Sequence, residues 1–368
     1  MSSQNLKISE QTETGIYGDF HSNPNLKFKQ IIINNNKNSG DNDVFEVFKS
    51  MKNQETYLAY PNQNDNLDII IIKNLQLLIS LKGHKDDINI VKYFINNKNK
   101  SEYLISVDKS STIIIWDINN DYSNIYQINR KVSRGYISGC LLCSLNLNNV
   151  IDNIIIFSYN IKDYTNIYSL DNKQKIKTIK ETNEHNTYYI LLWLNKKDNL
   201  YYLIELSNGN IYLYNILDDI LYYNSDLDTF NYSQYNCGFV YTKNNNDFLF
   251  ASNIPGEIFI WDLENKNIFS YINLNNSYNT NLIYLTYILQ WSKKYIIACE
   301  YYNKGLKIID IDKLKVIKVI TSIRGKHYGR IICAKKFIHP NYGECLLTTA
   351  KGDGIILWTI NNYSIFDL

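Results

Sequence analysis

The residues of this chain that could do chemistry are few and scattered. Its 368 residues include 5 histidines, 6 cysteines and 36 carboxylates, and their spacing matches no catalytic set. There is no G-x-S-x-G elbow to raise a serine nucleophile and no Walker-type phosphate loop. The segment Gly325-Lys326-His327-Tyr328-Gly329 lacks the strand-to-helix context such a loop needs. No H-E-x-x-H occurs. Cys140 and Cys143 form a lone C-x-x-C in an apolar, strand-like run, where a period of two sends them to opposite faces. No second pair completes a zinc set, so buried free thiols are expected. Glycoside hydrolysis requires carboxylates that converge, whereas the acidic residues here sit mainly in turn-like stretches such as Asp218-Asp219 and Asp226–Asp228. No catalytic residue, cofactor or metal is expected.

Arginine is the remaining informative type. The chain has four, in two places: Arg130 with Arg134, and Arg324 with Arg330. Each pair is accompanied by glycine and tyrosine, as Arg134-Gly135-Tyr136 and as Tyr328-Gly329-Arg330. Guanidinium groups stack and fork, and tyrosine buries area at low entropic cost, so these types anchor binding surfaces. Arg130, Arg134, Tyr136, Arg324, Tyr328 and Arg330 are therefore candidates for contact with an acidic or phosphorylated peptide.

Composition narrows the class. Asn, Lys, Ile and Tyr dominate, with 32 tyrosines against 15 glycines and 4 prolines. These favoured residues share A/T-rich codons, so Asn and Lys carry less loop information than usual. Net charge is +2 and the pI about 8.0, with lysines and carboxylates interspersed. A nucleic-acid footprint would need a basic stripe. The N-terminal MSSQNLKISEQTETG lacks the order of a signal peptide, and no window reaches the roughly 18–20 apolar residues of a membrane span. A cytoplasmic or nuclear location is expected.

What would hold such residues in place is a strand array. Residues 1–24 carry little periodicity and are expected to be a disordered tail; 25–368 are expected to form one domain. After Asp43, apolar runs of four to eight residues alternate with Asn/Asp/Lys/Gly clusters, the pattern of an all-β repeat. Seven runs align as third strands: Asp68–Ile72, Thr112–Asp117, Asn166–Leu170, Asn210–Asn215, Glu257–Asp262, Leu306–Ile311 and Gly354–Thr359. Each has a strand before it, and most have one after. Four-stranded antiparallel units of this kind bury their faces by packing around an axis, which predicts a seven-bladed β-propeller. The last unit lacks an outer strand. Lys27–Ile33 is the favoured closing strand, and Tyr363–Leu368 the alternative.

At these residues the chain resembles the WD-repeat family. The second unit carries Gly83-His84, Tyr103–Ser106 and Thr112–Asp117 (TIIIWD), and the last carries His327, Asp353 and Trp358. The resemblance implies a hydrogen-bonded set of His, strand hydroxyl, turn Asp and Trp: His84, Ser106, Asp108 and Trp116 in the second unit, and His327, Thr348 or Thr349, Asp353 and Trp358 in the last. Ser110 stands where the turn Asp is usual, and Asp108 lies two residues earlier. Tyr168, Tyr214 and Asp310 fall at the Trp position of middle units, and His185 is a candidate in the fourth. The resemblance also places both arginine clusters at one end of the propeller. It implies a non-catalytic scaffold for partner proteins, monomeric by itself within a larger complex. Two alternatives stay open: a phosphoinositide-binding propeller at membranes, and a propeller hydrolase.

Overall fold

Apolar runs such as Leu67–Ile71, Glu102–Asp108, Ile113–Asp117, Ile211–Asn215 and Glu257–Asp262 are buried on both faces, and the pairing of the strands explains why. A computed structural model describes residues 10–13, 28–34, 44–62, 64–74, 76–96, 98–128, 137–147, 150–159, 164–180, 187–207, 210–216, 221–224, 235–253, 257–273, 282–287, 295–300, 306–311, 313–320, 331–340, 343–350 and 354–360. Among these residues there is no helix, and so none long and apolar enough to cross a membrane.

Among the described residues the strands form repeated antiparallel sheets, six of four strands and one of five. The first sheet comprises Glu46–Lys49, Thr56–Pro61, Leu67–Ile71 and Gln76–Leu81. The second comprises Ile88–Ile95, Glu102–Asp108, Ile113–Asp117 and Ser123–Ile128. The third comprises Ile137–Leu147, Val150–Tyr159, Tyr164–Ser169 and Gln174–Lys180. The fourth comprises Thr187–Asn195, Leu200–Ser207, Ile211–Asn215 and Leu221–Asn224. The fifth comprises Tyr235–Lys243, Asn246–Asn253, Glu257–Asp262 and Asn267–Asn273. The sixth comprises Leu282–Tyr287, Tyr295–Glu300, Leu306–Asp310 and Lys315–Ile320. In each, strands are ordered as in the chain.

The seventh sheet departs from this order. Ile331–His339, Gly343–Ala350 and Gly354–Ile360 are followed by Phe28–Asn34, with Glu10–Glu13 outermost. The N-terminal strand thus takes the outer place expected of it, with Gln30 opposite Trp358. Glu10–Glu13 lies inside the stretch expected to be disordered, yet it pairs antiparallel with Phe28–Ile31. Backbone hydrogen bonds suffice for a hairpin strand, so no apolar periodicity announced it.

The chain divides into two compact units, Lys82–Tyr271, and Met1–Leu81 with Ile272–Leu368. Within the first of these, the opening strands of the second to fifth sheets lie beside one another in succession. The cores lie between successive sheets and follow the period of two. Ile105, Val107, Ile113 and Ile115 of the second sheet meet Ile155 and Phe157 of the third. The intervening Ile154 and Ile156 point the other way, to Leu203, Tyr212 and Tyr214 of the fourth. Ile204, Leu206 and Leu213 in turn meet Leu249, Ala251, Phe259 and Trp261 of the fifth. In the other unit Leu58 and Ile70 pack with Phe337, Cys345 and Leu347, joining the first sheet to the seventh. Cys140 belongs to the core facing the second sheet and Cys143 packs against the core facing the fourth, so the C-x-x-C is split as its spacing requires.

Two irregularities recur. The first strand of six sheets slips register near its start, between Ile88 and Ile90, Ile137 and Gly139, Thr187 and Tyr189, Tyr235 and Cys237, Leu282 and Tyr284, and Ile331 and Cys333. A second bulge sits between third and fourth strands, after Ile69, Ile115, Ile167, Leu213 and Ile308. Bulges sharpen the local twist at fixed places. The turn into the fourth strand repeats too: Tyr122, Lys173, Lys266 and Leu314 hold φ of 57°, 54°, 56° and 51°. Glycine would adopt this conformation freely, but this glycine-poor chain uses other residues.

One glycine is required by close packing. A Cβ on Gly238 would lie 2.6 Å from the Phe250 carbonyl oxygen and 3.2 Å from Leu206 Cδ1. Gly238→Ala is expected to cost about 1–3 kcal/mol, the usual range for overpacking, measured by urea unfolding. An unchanged midpoint would show that the Phe250 backbone and the Leu206 side chain give way without cost.

Candidate functional site

The most developed polar cluster belongs to the second sheet. His84 lies in the segment leading to Ile88–Ile95, Ser106 and Asp108 at the end of the second strand, and Trp116 on the third. Gly83 lets that segment lie on the indole, since a Cβ there would fall 2.9 Å from Ile114 Cδ1 and 3.3 Å from Trp116. Trp116 Nε1 donates to Ser106 Oγ at 2.9 Å, His84 Nε2 lies 2.6 Å from that same Oγ, and His84 Nδ1 lies 3.0 Å from Asp108 Oδ2. One tautomer satisfies all three contacts: Ser106 donates to Nε2, and Nδ1–H donates to Asp108. Asp108 Oδ1 accepts from Ser110 Oγ at 2.7 Å and the Thr112 amide at 2.8 Å. Ser110 therefore serves as a donor to the turn aspartate rather than its replacement.

Asp, His and Ser joined in this order have the connectivity of a serine-hydrolase triad, but the arrangement does not present a nucleophile. Ser106 is 0% exposed, and the His84 and Asp108 side chains are 1% and 0% exposed. The serine oxygen gives its proton to the imidazole and accepts the indole N–H, so no substrate carbonyl can reach it. A buried network satisfied in this way pins loop to strand.

Burial alone would raise the Asp108 pKa, but hydrogen bonds from His84, Ser110 and the Thr112 amide outweigh it and hold the carboxyl below its ordinary value. Because the folded pKa is depressed, the stabilisation is complete above the unfolded value near 3.9 and is lost as pH falls through the folded one. The wild-type melting temperature should fall more steeply than that of Asp108→Asn as pH drops below about 4. Parallel curves in thermal scans would contradict this.

Strand register identifies what replaces each member elsewhere. Leu104 lies opposite Trp116, with Ser106 two residues on. By the same pairing the third sheet places Tyr168 and Phe157 at these positions, and the fourth Tyr214 and Glu205. The fifth has Trp261 and Ala251, and the seventh Trp358 and Thr348. Thr348, rather than Thr349, thus stands in the place of Ser106. In the sixth sheet the position opposite Ile296 belongs to Ile309, so Asp310 is not at the Trp position. It matches Asp117 instead. Asp117, Asp262 and Asp310 each accept backbone amides two to three residues on, an Asx turn into the fourth strand.

His327, Asp353 and His185 lie outside the described residues, as do Arg130, Arg134, Tyr136, Arg324, Tyr328 and Arg330. Among the described residues no group of His, Cys, Asp and Glu could hold a metal. Burial pushes the thiols of Cys143 and Cys237 up to about 12. No protein-family model matches this chain, and no curated protein is similar to it in sequence.

Proposed function

We propose that this chain is a WD-repeat β-propeller of seven blades that serves as a non-catalytic platform for partner proteins. One observation carries the reading: four-stranded meanders succeed one another with their opening strands side by side, and one of them holds the hydrogen-bonded His84–Ser106–Asp108–Trp116 set. Stacked sheets bury both faces of each inner sheet and leave loops and outer strands for binding. Burial also raises the thiols of Cys143 and Cys237, in Cys237 against a weaker opposing hydrogen bond from Ser252, which disfavours the nucleophilic thiolate at these two positions. Arg130, Arg134, Tyr136, Arg324, Tyr328 and Arg330 are the proposed contacts, with acidic or phosphorylated peptides as their ligands.

Fluorescence anisotropy with acidic, phosphorylated and neutral peptide pools tests this. The wild type should bind the first two, and Arg134→Ala/Arg330→Ala should lose that binding with an unchanged melting temperature. Equal binding by both proteins would remove the arginines from the site. Binding to phosphoinositide vesicles but to no peptide, or turnover of ester or glycoside substrates, would overturn the platform reading itself.

A further inference from the structure

The fifth sheet ends on Asn267–Asn273, whose outer side has no neighbouring strand among the described residues. Such an edge offers unpaired N–H and C=O groups to any extended chain, and proteins usually guard it with charge or a covering segment. The outer strand of the third sheet carries Lys175, Lys177 and Lys180, and that of the sixth carries Lys315 and Lys318. Phe28–Asn34 of the seventh is covered by Glu10–Glu13. Asn267–Asn273 has neither guard. Residues 267–292 contain no Asp, Glu, Lys or Arg, and Ile268, Phe269 and Tyr271 are 38%, 64% and 60% exposed.

The strand is also nearly self-complementary. Its sequence, NIFSYIN, reads almost the same in both directions about Ser270. The uncharged outer strands of the first, second and fourth sheets, QLLISL, SNIYQI and LYYN, have no such symmetry. Paired antiparallel with a copy of itself about Ser270, Asn267–Asn273 sets Asn267 against Asn273, Ile268 against Ile272 and Phe269 against Tyr271. Each half of such a contact is the same surface, as a two-fold interface demands, and aromatic cross-strand pairs favour it. We propose that Asn267–Asn273 pairs antiparallel with the same strand of a second copy of the chain, making a two-fold dimer in place of the monomer expected from the sequence.

Sedimentation of the wild type over a range of concentrations should show a monomer–dimer equilibrium. Phe269→Lys should be monomeric with a melting temperature only slightly lowered, because the ring is 64% exposed and its aromatic contact is with Phe248, at 5.2 Å between centroids. Ser270→Cys supplies a second readout. Residues directly opposed in antiparallel strands lie about 4.5–5.5 Å apart at Cα, inside the range of about 4.4–6.8 Å for a disulfide. This variant should therefore cross-link to itself on oxidation, while Leu77→Cys, on the exposed outer strand of the first sheet, should not. A wild type that stays monomeric at every concentration overturns the proposal. So does a dimer that survives Phe269→Lys and leaves Ser270→Cys uncross-linked.

Discussion

Asp108→Ala should destabilise the protein by roughly 3–5 kcal/mol, the range found when one partner of a buried polar or ionic pair is removed. The carboxylate accepts from His84, Ser110 and the Thr112 amide. Its loss leaves the imidazole N–H and the amide without acceptors in a site closed to water, and each such orphan costs about 1–3 kcal/mol. Urea unfolding followed by tryptophan fluorescence gives the value. Ser106→Ala should cost less, because the two groups it orphans, the Trp116 N–H and His84 Nε2, lose neutral hydrogen bonds rather than bonds to a carboxylate. The double variant should fall short of the sum, since both residues act through His84. A loss below about 1 kcal/mol for Asp108→Ala, or strict additivity, would mean the four side chains do not act together.

Phe157→Ser should be at least as damaging, although it places in the third sheet the residue type found at the matching position of the second. Phe157 is 0% exposed and lies edge-on to Tyr168, with ring centroids 6.0 Å apart. An aromatic pair here takes the place of the indole–hydroxyl hydrogen bond of the second sheet. Removing such a ring costs about 3–5 kcal/mol, and burying a hydroxyl without the His–Asp chain adds to that cost. Phe157→Ala and Phe157→Ser should therefore rank in that order of increasing loss when unfolded side by side. A serine variant more stable than the alanine variant would show that the hydroxyl finds a partner there.

The third strands are the most legible part of the fold. Glu257–Asp262 coincides with its expected bounds, and Ile113–Asp117 and Gly354–Ile360 differ by one residue at one end. Both faces of Ile113–Asp117 and Glu257–Asp262 are buried, so they read as unbroken apolar runs. Opening strands are harder to see. Ile88–Ile95 has a buried residue only at every third position, with half-buried ones such as Asn89 and Lys92 between, and its bulge breaks the period of two. Glu10–Glu13 has no apolar signal at all. At the polar cluster, residue types pointed to His84, Ser106 and Trp116, but the hydrogen bond from Ser110 to Asp108 needed the turn geometry. The assignment of Asp310 to the Trp position failed for a related reason. The ladder from the Tyr295/Asp310 pair to the Cys299/Leu306 pair runs without a shift, but in a run with no aromatic residue to mark the position, Ile309 cannot be told from Ile308 by type.

The pairing of Phe28–Asn34 with Gly354–Ile360 has a consequence for synthesis. Roughly 320 residues separate Asn34 from Gly354, and at about 5–20 residues per second the ribosome needs about 16–64 s to make them. Until then the strand FKQIIIN has only Glu10–Glu13 on one side, and its other edge waits without a partner. Every other sheet takes its strands from one continuous stretch of chain and can close as it emerges. The seventh sheet is thus the step at which a chaperone that shields β edges would change the yield of folded protein.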